Sequence, residues 1–130
     1  MEYRKLFSDI HDRPGMWGLD GSFGQFCAFL TGVDAGNDWQ WLCGFREWLI
    51  VRADTGNNLH WSGLVLLLAF PGDQTGRRAL LAEPEHDKRA VDTLFTLLGE
   101  FLDRRAEHDG TVAVFDEYLT WLKAQSWYVP

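Results

Sequence analysis

Between positions 85 and 108 the apolar residues recur at helical spacing: Val91, Leu94, Phe95, Leu98, Phe101 and Leu102. Only a 3.6-residue period puts those positions on one face, so this stretch commits the chain to a long amphipathic α-helix. Pro84 precedes it and Arg104-Arg105 stand near its end, where the helix dipole favours cations. One apolar stripe needs partners, and the same period returns along the chain. It places Tyr3, Leu6, Phe7 and Ile10 on a helix over 2–12, and Phe23, Phe26, Cys27, Leu30 and Val33 on one over 23–35, with Ser22 as N-cap. It predicts a third helix over 39–53, with Leu42, Phe45, Trp48, Leu49 and Arg52 on one side. A last helix, over 111–123, presents Val114, Phe115, Tyr118, Leu119 and Leu122.

Breaks separate these segments. Pro14-Gly15 reads as a type II turn with Gly15 at positive φ, and residues 54–58 and 71–73 are turns by composition. Residues 74–78 read as a flexible loop. Gly63 to Phe70 is apolar without period, which fits a buried helix or a central strand; its leucine richness and the lack of a strand partner favour helix. At 130 residues the chain has the length of one domain and needs no staple to sustain a core. The expectation is an all-α fold, a single compact bundle of about six helices. The closing Trp127-Tyr128-Val129-Pro130 is expected to pack back onto it.

Charge and cysteine content narrow the function classes. Nineteen acidic residues against twelve basic give a net charge of −7, the wrong sign for direct binding to nucleic acid. That balance suits a basic partner, since long-range attraction speeds association. No apolar run reaches the roughly 18 residues of a membrane span, and the N-terminus lacks a signal-like apolar core, so a cytoplasmic protein is expected. Cys27 and Cys43 both fall in apolar helical patterns and read as buried free thiols.

Catalytic signatures are sparse. His11-Asp12, His86-Asp87 and His108-Asp109 are similar to the His-Asp pairs of HD-type metal-dependent phosphohydrolases, which would make the chain a helical metalloenzyme. All three pairs fall at helix ends, where His and Asp serve capping and the dipole, and no metal or cofactor is expected. There is no GxSxG elbow and no phosphate-binding glycine loop. Two acidic groups remain as candidate partner-binding residues: Asp34 and Asp38 around the 36–37 turn, and Glu83, Glu85 and Asp87 at the start of the long helix. Exposed there, they would imitate a phosphate backbone; otherwise they stabilise helix ends. Trp39 and Trp61 flank turns and suit either a partner contact or the core. Arg46, among Phe45, Trp48 and Leu49, suits a partly buried ion pair or a binding anchor.

Arg13-Pro14-Gly15-Met16-Trp17-Gly18, then Ser22-Phe23 and Phe29-Leu30-Thr31-Gly32, resembles the opening of small bacterial immunity proteins of polymorphic toxin systems; Phe45-Arg46-Glu47-Trp48-Leu49 has the same character. The resemblance covers about the first half of the chain. It implies a non-enzymatic inhibitor that binds one cognate protein toxin, and it carries over no binding residues. The rival to an inhibitor or a metalloenzyme is a small oligomeric subunit that associates through the aromatics near Trp127.

Overall fold

The computed structural model describes residues 2–72 and 76–130, and among them the regular structure is entirely helical. The elements are α1 (Tyr3–Asp12), a short 3-10 turn (Pro14–Trp17), α2 (Phe23–Gly36), α3 (Phe45–Ala53), α4 (Trp61–Ala69), α5 (Arg77–Leu80), α6 (Pro84–Ala106) and α7 (Gly110–Lys123). Among the described residues no helix is long and apolar enough to cross a membrane.

The long helix α6 is the spine: α1, α2, α3, α4 and α7 all pack against it. Its Ala90, Val91, Leu94, Leu97, Leu98 and Phe101 are buried, in one continuous cluster with Phe7, Ile10, Phe23, Phe26, Leu30, Phe45 and Leu64. α4 lies between α3 and α6 and buries Trp61, Ser62, Leu64, Val65, Leu66 and Ala69. Its sequence shows no period because a helix covered on several sides is apolar all round. Ser22 caps α2 as expected, its hydroxyl accepting the Gln25 N–H at 3.4 Å. The turn before it is set by Asp20, whose carboxyl lies below the usual range because the Ser22 side chain and N–H both bond to it.

Five expectations are corrected. The third helix begins at Phe45, not at position 39. Gly44 sits at φ +90° and Asp38 and Trp39 at +57° and +61°, so the helical spacing of Leu42 and Phe45 is met across a loop instead of along a helix. Cys43 belongs to that loop and is exposed; Cys27 is largely covered, and burial pushes its thiol up to about 12. Pro14 opens a 3-10 turn, with Gly18 and Gly21 at positive φ instead of Gly15. Within 74–78, Gln74 and Thr75 lie outside the described residues, while Arg77 and Arg78 begin α5, fastened by the Arg77 Nε–H to the Phe70 carbonyl at 2.9 Å. Leu119, expected inward on α7, is exposed.

α6 and α7 meet at a backbone contact that requires glycine. A Cβ on Gly110 would stand 2.4 Å from the Arg105 carbonyl oxygen and 2.5 Å from that of Arg104. Arg104 then ties the two helices by pairing with Glu107 at 2.6 Å and Glu117 at 2.8 Å.

Candidate partner-docking face

The loop over residues 37–44 is where backbone conformation departs furthest from what its side chains prefer. A left-handed residue costs an L-amino acid roughly 1–2 kcal/mol, and a bulky aromatic there is a true outlier. Here Asp38 and Trp39 adopt it consecutively. Asp34 imposes it: its carbonyl oxygen accepts the Trp39 N–H and its carboxylate the Leu42 N–H, both at 2.9 Å. The Tyr3 hydroxyl donates to Asn37 Oδ1 at 2.8 Å, and Arg105 donates to the Trp41 carbonyl. Trp41 and Leu42 are thereby drawn into the core, with the Trp41 ring tilted against Phe7 at 4.4 Å. The Trp41 indole N–H is buried without a hydrogen-bond partner among the described residues, a further cost carried by the loop. What this conformation yields is Trp39 held 63% exposed beside an exposed Asp38.

α2, which leads into the loop, turns a bare face to solvent. Gly24, Ala28, Gly32 and Gly36 follow one i, i+4 row, all exposed, and a Cβ added to any of the three glycines would meet nothing within 4 Å. A row of glycines and one alanine lets another backbone approach closely. Trp17 packs edge-on against Phe29, next along the helix from Ala28, at 6.2 Å, and its neighbour Met16 is 75% exposed. The flat row therefore has an aromatic at its flank and another, Trp39, just beyond its C-terminal end.

The seven residues singled out from the sequence do not converge. Asp34 is only 9% exposed and is the buried brace of the loop. Trp61 is 7% exposed and packs 5.7 Å from Phe45, so it is a core residue and offers no surface to a partner. Asp38 and Trp39 are on the surface. Glu83 and Glu85 are exposed, whereas Asp87 accepts the Phe23 N–H at 3.1 Å and joins α6 to the start of α2. The two acidic groups thus stand near opposite ends of α2, about 20 Å apart for a fourteen-residue helix. Arg46 is neither ion pair nor anchor: it donates to the carbonyls of Leu59, at 2.8 Å, and Asn57.

Met16 and Trp17 stand in the sequence only as part of the N-terminal motif, with nothing to mark them or the α2 row as a surface. The row was visible as small residues every fourth position, but only the fold shows that no neighbour covers it. The His-Asp pairs disperse. His11 stacks on Phe95 at 4.3 Å, His86 faces the Leu80 carbonyl at 3.2 Å and His108 is exposed. Among the described residues no group of three His, Cys, Asp or Glu side chains is placed to hold a metal ion. Comparison with known proteins finds no family model, no curated protein and no solved structure that matches the chain.

Proposed function

We propose that this chain is a non-catalytic binding protein of the immunity or antitoxin kind, which neutralises a basic protein toxin in the cytoplasm by seating it against α2 and the Trp39 loop. The observation that carries the reading is Trp39: a large aromatic kept in solvent by a backbone that departs from its preferred conformation. Strain of this sort persists only where the surroundings over-determine it, and it gathers at functional positions. Tryptophan is among the residue types enriched at the energetic centres of protein interfaces. The net charge of −7, with Asp38 beside Trp39 and Glu83 and Glu85 at the other end of α2, selects a basic partner. The N-terminal resemblance to immunity proteins makes that partner a toxin.

The test is affinity capture from the source cell at low salt, run in parallel with the wild-type chain and Trp39→Ala. A single stoichiometric basic protein that is retained by the wild type, released by raised salt and lost from Trp39→Ala supports the reading. Identical captures by the two proteins, with Trp39→Ala folded by its thermal transition, contradict it.

A further inference from the structure

At the far end of α3 a second loop makes a receptacle instead of a projection. Asp54 ends α3 at φ +56°, and residues 54–58 turn beneath α7 and the C-terminal residues. Trp121 donates its Nε1–H to Asp54 Oδ1 at 2.7 Å, and the Tyr118 hydroxyl donates to Asn57 Oδ1 at 2.6 Å. Arg46, which does not line the cleft, holds the loop through its bonds to the Asn57 and Leu59 carbonyls. Trp127 meets Trp121 edge to face at 6.2 Å and is 54% exposed. The open cleft so formed has a volume of about 370 Å³ and is walled by Asp54, Asn57, Asn58, Trp121, Gln125 and Trp127.

The chemistry lies in what those bonds leave over. Trp121 engages one oxygen of Asp54, and the other has no partner among the described residues. The Gln125 amide donates to the Trp121 carbonyl at 2.8 Å, which leaves its own oxygen as an acceptor. The lining thus holds a carboxylate, neutral acceptors and two indole rings, and no lysine or arginine. Trp121 also borders the neighbouring groove lined by Asp116, which adds negative charge there, while Glu117 in the same groove is paired with Arg104. A cation is drawn to the face of an indole, and a carboxylate alongside adds its own attraction. Among cations a guanidinium fits best: it is planar, stacks on aromatic faces, sheds water readily and offers five N–H donors to several acceptors. A neutral sugar would also stack and donate a hydroxyl to the carboxylate, but would gain nothing from the charge of −7.

We infer that this cleft binds a guanidinium group, as carried by an arginine side chain, stacked on Trp127 and paired with Asp54. The inference stands on the cleft's own chemistry and is independent of the Trp39 interface.

The test is a titration of arginine amide into the ¹⁵N-labelled full chain, followed by the indole N–H resonances, with Trp121 identified by its loss in Trp121→Phe. The expected result is a saturable shift of the Trp121 indole, with a Kd of about 1–10 mM for so small a ligand. Asp54→Asn and Trp127→Ala should each weaken it about five-fold or more, and lysine amide should bind more weakly than arginine amide. Asn keeps the acceptor oxygen for Trp121 and tolerates the left-handed conformation, so Asp54→Asn leaves the fold intact. The inference is overturned if no saturable shift appears by about 50 mM, well above that range. It is equally overturned if both variants respond like the wild type, or if glucose moves the resonance more than arginine amide does. None of these outcomes bears on capture through Trp39.

Discussion

A loop at each end of α3 lies beside exposed or part-exposed tryptophans, and the two are built in opposite ways. At the N-terminal end, residues 37–44 are fixed through the backbone: Asp34, Tyr3 and Arg105 hold main-chain and amide groups, and the Trp39 side chain is left free. At the C-terminal end the side chains themselves are tied, Trp121 to Asp54 and Tyr118 to Asn57, and space is left between them. The first arrangement presents a group and the second receives one. Exposure of a tryptophan therefore says little until the groups that hold it are known. Both loops pass through left-handed residues, but only the first puts an aromatic there, where the conformation costs most.

The largest expected effect separates the two braces. Asp34→Ala removes a buried carboxylate and strands the Leu42 N–H, which should cost about 2–3 kcal/mol of stability. Asp54→Gly removes an exposed acceptor without straining the left-handed position, and should cost about 1 kcal/mol or less. Denaturant unfolding of both variants checks this, and equal losses would erase the distinction between a backbone-braced and a side-chain-braced loop.

Two substitutions of opposite sign sharpen the comparison further. Gly44→Ala forces a Cβ into φ +90° and within 3.3 Å of Val114, and should destabilise by about 1–2 kcal/mol. Trp39→Gly removes an exposed side chain and relieves its left-handed strain, so it should stabilise by up to about 1 kcal/mol. A Trp39→Gly protein clearly less stable than wild type would mean that Trp39 packs, and is not merely displayed.

The smallest effect belongs to His60, beside the second loop. Its Nδ1 accepts the Ser62 N–H at 3.2 Å and so caps α4. Burial, reinforced by Arg78 and Arg46, holds its pKa below the ordinary 6.5. The folded state therefore binds this proton less tightly than the unfolded chain does. The stabilisation is present above pH 6.5 and is lost as pH falls from there through the depressed folded value. His60→Asn keeps a capping side chain without titrating, so between about pH 5 and 7 its thermal midpoint should fall less steeply than the wild type's. Parallel curves would assign the wild-type slope to other groups.

How much of this was legible depended on whether local chemistry or distant contacts decided the outcome. The stripes of α1, α2, α6 and α7 were readable because each helix buries one face against α6 or a neighbour. The start of α3 was not: Leu42 and Phe45 keep helical spacing although the chain between Asp38 and Gly44 is a loop, set by a carboxylate eight residues before Leu42. Asp38 and Trp39, whose place beside a turn left surface and structural roles open, lie on the surface. The same logic chose Trp61, which the packing of Phe45 against it makes a core residue. The cleft was out of reach, because Asp54 and Trp121 stand 67 positions apart. No local pattern pairs them.

The most direct test of the central claim is calorimetric titration of the captured basic partner into wild type, Trp39→Ala and Trp61→Phe. The account predicts that Trp39→Ala weakens binding by about 2 kcal/mol or more, roughly thirty-fold, with the wild-type affinity falling as salt rises. Trp61→Phe, a change inside the core, should leave affinity unaltered. Binding that tolerates the loss of Trp39 would contradict the claim that the strained loop is the anchor.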